Sequence, residues 1–69
     1  MKYYTKDVVI NLDGTEASAN NTFDTLNEAR AYFYSRMGTM LKSEKVQTAS
    51  MTLQDSLLNP ILHATETKE

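Results

Sequence analysis

The chain has no cysteine and a single histidine, His63. The first absence excludes disulfides, zinc–thiolate sites and iron–sulfur clusters. The second excludes a multi-histidine metal site within one chain. Glycine occurs only at Gly14 and Gly38, in unrelated contexts, so there is neither a P-loop nor a dinucleotide fingerprint. Long apolar runs are missing as well, and nothing in the sequence is suited to spanning a bilayer. The N-terminus, MKYYTKDVVIN, lacks the apolar stretch of a secretory leader, and the expected location is intracellular. Basic runs are also absent. With a formal net charge of −2 and charges scattered along the chain, the balance argues against DNA, RNA or an anionic membrane as the main partner.

What is present fits in 69 residues, room for one small core. A chain of this length buries only about 60% of its unfolded surface. Such chains lean on disulfides, a metal or a partner, and without the first two self-association gains weight.

Tyr3 to Leu12 reads as a strand, with Tyr4, Val8, Ile10 and Leu12 recurring at period two on the side expected to be buried. Lys6 interrupts that row, which places it near a sheet edge where its stem can cover apolar surface. Asp13-Gly14 predicts a tight type I′ hairpin turn. Thr15 towards Asn21 is then either a polar second strand or an irregular loop. Asn20-Asn21-Thr22 matches a glycosylation sequon but, without a secretion signal, reads as polar loop.

Thr25 to Lys42 is an amphipathic helix. Thr25 and Glu28 form a capping box, with Asp24 a competing cap. Leu26, Ala29, Phe33, Met37, Met40 and Leu41 share one face, and Lys42 suits the negative end of the helix dipole. Val46 to Leu53 is the next strand, with Ala49, Met51 and Leu53 alternating against Thr48, Ser50 and Thr52. A turn spans Asp55 to Asn59, and Pro60 can open a last short strand over Ile61 to Thr65. Leu57 and Leu58 either cap the end of the core or make an exposed apolar contact. The expected fold is α+β: one helix on a three- or four-stranded antiparallel sheet, with residues 1–65 as a single domain and 66–69 as a frayed tail.

No catalytic constellation emerges. A Ser-His-Asp arrangement would have to use His63 with Asp13, Asp24 or Asp55, and no nucleophile elbow is present. Tyr3, Tyr4, Tyr32, Phe33 and Tyr34 could stack bases, but only Lys2, Lys6, Arg30 and Arg36 accompany them. No cofactor or metal is expected. A second helical stripe is more suggestive. Asn27, Ala31, Tyr34 and Gly38 lie about 100° from the core face. Small residues beside a tyrosine admit close approach of another element, and tyrosine is enriched at interfaces. The alternative is that Tyr34 lies on its own helix and Gly38 merely loosens it, by about 1 kcal/mol relative to alanine.

Asp13-Gly14, the Thr25–Ala29 helix start, Phe33 with Met37, and the closing segment Val46 to His63 together resemble small proteins of tailed phages of Gram-positive bacteria. These share an opening strand ending near Asp-Gly, a Thr-x-x-Glu-Ala helix and a final hairpin. The chain departs from that plan where Leu57-Leu58-Asn59-Pro60 replaces an Asn-Gly-type turn. The resemblance implies a phage origin rather than an activity, and it carries over no functional residues. With it, the expected location becomes the host cytoplasm or the virion. The expectation is therefore a non-enzymatic protein working through protein contacts as a homo-oligomer, in the virion or its assembly. The competing expectation is an inhibitor of a host defence system, blocking a host enzyme or sequestering a nucleotide signal between subunits.

Overall fold

A computed structural model describes residues 2–68. The element order is β1 (Tyr3–Asn11), β2 (Glu16–Phe23), α1 (Leu26–Lys42), β3 (Val46–Asp55) and β4 (Pro60–Thr67). The four strands form one antiparallel sheet in the order β2-β1-β3-β4. The α1 helix lies chiefly over β3, less over β1 and least over β2. This is the expected α+β architecture in its four-stranded form, with the polar stretch after the first turn adopting strand rather than loop. The sequon residues Asn20, Asn21 and Thr22 accordingly sit in β2.

The helix starts where its cap residues dictate. Thr25 is the N-cap, and its hydroxyl accepts from the Glu28 amide at 3.2 Å while donating to the Glu28 carboxylate at 2.9 Å. Asp24 does not compete, because its carboxylate is engaged by Lys2. Four of the expected core-face residues are buried: Ala29, Phe33, Met37 and Met40. Leu26 and Leu41 flank them, partly covered. From the sheet, Val46, Ala49, Met51 and Leu53 of β3 complete the core. Each large apolar side chain enclosed this way is worth about 1.5–3 kcal/mol.

In β1 the buried row is the opposite of the one expected. Thr5 and Asp7 are enclosed beneath the helix, with Tyr3 and Val9 packed beside the core. Ile10 and Leu12 are exposed. The register explains the inversion. Thr5, Asp7 and Val9 pair with Leu53, Met51 and Ala49, and directly paired residues share a face of the sheet. Once β3 turns its apolar row to the helix, the odd-numbered residues of β1 must follow. Burying the even row would enclose Lys6; burying the odd row encloses Asp7, which finds Arg36. Lys6 consequently lies on an interior strand, not at an edge.

The first hairpin also differs from expectation. Asn11 N donates to Thr15 O at 2.8 Å and Gly14 N to Asn11 O at 3.0 Å, enclosing the three-residue loop Leu12–Gly14. Only Gly14, at φ +89°, has a left-handed backbone, whereas a type I′ turn needs two such residues. The Asp13 carboxylate accepts from the Thr15 hydroxyl at 2.6 Å and the Thr15 amide at 2.9 Å. In the last turn, Asp55 Oδ1 accepts from the amides of Leu57 and Asn59. Leu58 sits at φ +66°, a conformation costing a non-glycine residue about 1–2 kcal/mol. Leu57 and Leu58 both project into solvent rather than capping the core. β4 runs on through Glu66 and Thr67, and Lys68 N donates to Gln47 O at 2.9 Å. The expected fraying therefore does not apply to these residues, and Glu69 lies outside the described residues.

Those turn carboxylates make stability depend on pH. Hydrogen bonds from the Asn59 amide, then from Leu57 and the Asn59 side chain, hold the Asp55 carboxyl below the usual carboxylate range. A carboxyl depressed in the folded state adds stability above its unfolded value, about 3.9. That stability is lost as pH falls through the folded value. Asp55→Ala should therefore lower Tm more at pH 7 than at pH 3, as thermal melts at the two values would show. An equal Tm loss at both would contradict the assignment.

Candidate functional site

With the helix on one side, the other face of the sheet has no element laid across it among the described residues. Its composition follows from the registers. Tyr4, Lys6, Val8 and Ile10 of β1 run down the middle, beside Thr22, Asn20, Ser18 and Glu16 of β2 and Gln54, Thr52, Ser50 and Thr48 of β3. On β4, His63, Thr65 and Thr67 stand opposite Thr52, Ser50 and Thr48. Side-chain hydrogen bonds join these last three pairs: Thr52 Oγ1 with His63 Nδ1 at 2.8 Å, Ser50 Oγ with Thr65 Oγ1 at 3.2 Å, and Thr48 Oγ1 with Thr67 Oγ1 at 3.3 Å. β3 and β4 give this face a hydroxyl ladder, β2 adds a second polar row, and between them the β1 row Tyr4, Val8 and Ile10 is apolar but for Lys6. The alternation of β3 foretells the Ser/Thr row; its continuation onto β4 depends on a register that sequence alone does not fix.

His63 is held within this ladder, its Nε2 also 3.3 Å from Thr65 Oγ1. The carboxylates considered as its orienters are engaged elsewhere: Asp13 and Asp55 in turns, Asp24 with Lys2. The aromatic residues do not form one platform. Tyr4 is on the open face and Tyr3 on the helix side; Phe33 is buried. Tyr32 packs on Phe23 with ring centroids 5.2 Å apart, and its hydroxyl accepts from Asn21 Nδ2 at 3.0 Å. Of the neighbouring cations, Lys2 and Arg36 are each paired with a carboxylate.

The helical stripe Asn27, Ala31, Tyr34 and Gly38 lies outward. Asn27, Ala31 and Tyr34 are exposed and Gly38 is half-buried. Tyr34 sets its ring edge-on to Phe33 at 5.4 Å and leaves 62% of its surface in solvent. A Cβ at Gly38 would meet nothing within 4 Å, so nothing inside the chain requires glycine there.

Sequence reasoning missed one polar feature. Asp7, 2% exposed, receives Arg36 Nε at 3.3 Å on Oδ2, while its Oδ1 and the nearby Thr5 hydroxyl find no protein partner. At the opposite end from the Leu57–Leu58 turn, Asn11, Leu12, Asp13, Glu44 and Lys45 line an open depression of about 460 Å³. Among the described residues, no three His, Asp or Glu side chains are grouped to hold a metal ion, and no helix is long and apolar enough to cross a membrane. No family model, curated protein or solved structure matches the chain.

Proposed function

We propose that this protein acts through protein–protein contacts rather than catalysis, as a self-associating accessory of the phage type that its sequence resembles, in the virion or its assembly. The observation that carries the reading is the placement of the Tyr4–Val8–Ile10 row on the face of the sheet that its own helix does not cover. The monomer covers Tyr4 and Val8 only in part and leaves Ile10 exposed, and a partner laid against the row would cover the rest. The small core supports the same reading, because the apolar side chains enclosed within one chain are few for its length. The outward Tyr34/Gly38 stripe offers a second contact surface.

Native mass spectrometry on gently purified protein tests the reading: a defined oligomer is expected, and a bare monomer at all concentrations would overturn self-association. Extra mass retained on the oligomer would redirect the reading towards ligand sequestration. Gly38→Arg separates the surfaces. The monomer has room for the new Cβ, so Tm should hold to within a few degrees. The oligomer should weaken if the helical stripe is in contact, and an unchanged oligomeric mass would remove the stripe from the interface.

A further inference from the structure

The sheet has two outer strands, and they are finished differently. β4 begins at Pro60, carries an irregularity opposite Leu53/Gln54 and holds His63 and Glu66. These are the devices that discourage another strand from adding to an edge. β2 has only the charge of Glu16 at its start. From Ala17 to Phe23 it is uncharged, free of proline and lysine, and paired with β1 without a register shift. The helix leaves it nearly bare, so Ala17 is exposed and Ala19 half-buried even on the side facing α1.

Its free backbone groups can be assigned. Asn11 N donates to Thr15 O, and the antiparallel alternation carries this inward bonding to Ala17, Ala19, Asn21 and Phe23, the partners of Val9, Asp7, Thr5 and Tyr3. The N–H and C=O groups of Glu16, Ser18, Asn20 and Thr22 therefore point away from the sheet.

We propose that β2 pairs antiparallel with β2 of a second copy of this chain, about a two-fold axis at Ala19, joining the two sheets into one. This rests on the self-association proposed above and names its edge. Charge disfavours the neighbouring register centred on Asn20. Centring on Ala19 sets Glu16 opposite Thr22 of the partner subunit. Moving the centre to Asn20 would set Glu16 opposite Asp24 of the partner subunit, and like charges directly opposite destabilise a pair. The Ala19 register also brings alanine against alanine at the axis, where there is least side chain to clash. The contact is isologous and closes as a dimer instead of propagating as a fibre. Main-chain hydrogen bonds supply the affinity, as in other strand additions.

The lack of cysteine makes the test direct. Ala19 would form a non-hydrogen-bonded pair with its symmetry mate, with Cα atoms about 4.5 Å apart, inside the range that a disulfide spans. Ala19→Cys should give a covalent dimer under mild oxidation, whereas Thr65→Cys on the other edge should not. Asn20→Pro, which removes only an outward N–H, should shift the native mass to the monomer while circular dichroism shows the fold retained. A wild-type dimer that persists in Asn20→Pro, together with an Ala19→Cys variant that does not cross-link, would overturn the β2 pairing and leave self-association standing. A wild-type monomer at all concentrations would overturn both.

Discussion

Arg36→Met should cost the fold about 3 kcal/mol, the low end of what breaking a buried ion pair costs. The removed guanidinium is itself half in water, with 37% of its side chain exposed, but the carboxylate it leaves behind is 2% exposed. That carboxylate already has one oxygen without a protein partner. Stripped of Arg36, it is left buried without its charge partner, which is the costly outcome of breaking such a pair. In a domain of this size, a loss of about 3 kcal/mol lowers Tm by more than about 10 °C, readily seen in a thermal melt. The double variant Asp7→Leu/Arg36→Met should recover most of the loss, because an apolar pair of similar volume needs no compensation. A single-variant loss under about 1 kcal/mol, the usual worth of an exposed pair, would mean that the pair is solvated in solution.

Phe33→Ala should be comparably severe, about 3–5 kcal/mol. Phe33 is 3% exposed and shares one core cluster with Met37, Met51 and Leu53, where a lost ring leaves a cavity. Ile10→Ser provides the contrast. On the face first expected to be buried it would cost nearly as much; on the open face, where Ile10 is 42% exposed, it should cost the monomer under about 1 kcal/mol. Urea denaturation of both variants at low protein concentration checks the assignment. Equal losses would place Ile10 in the core and invert the sheet.

The inversion of β1 marks where the sequence stops being legible. The helix is readable because cap, period and dipole agree over Thr25 to Lys42, and β3 because Ala49, Met51 and Leu53 alternate cleanly with hydroxyl residues. β1 carries polar side chains in both rows, Lys6 in one and Thr5 with Asp7 in the other, so counting apolar residues favours the wrong row. The decision lies in a partner 29 positions away, Arg36. The first turn is readable as a turn, but its type depends on one extra loop residue. The proposed contact surfaces are legible only in part. The stripe on α1 follows from helical geometry, whereas the open sheet face and the bare β2 edge follow from strand order, which no local pattern encodes.

The strand order has a kinetic side. The β1–β2 and β3–β4 hairpins and α1 are built from contacts between near neighbours in the chain. The pairing at the centre of the sheet joins Tyr3 to Asp55 and Asn11 to Val46. Bringing those segments together costs loop-closure entropy before their contacts form, and non-local pairings of this kind are what slow folding. The last seam to close is thus the middle of the sheet, and until it closes each hairpin presents a raw strand to its surroundings. Two nascent chains that meet at that stage can exchange hairpins, so the interior β1–β3 seam, rather than either outer edge, is where refolding at high concentration would go astray.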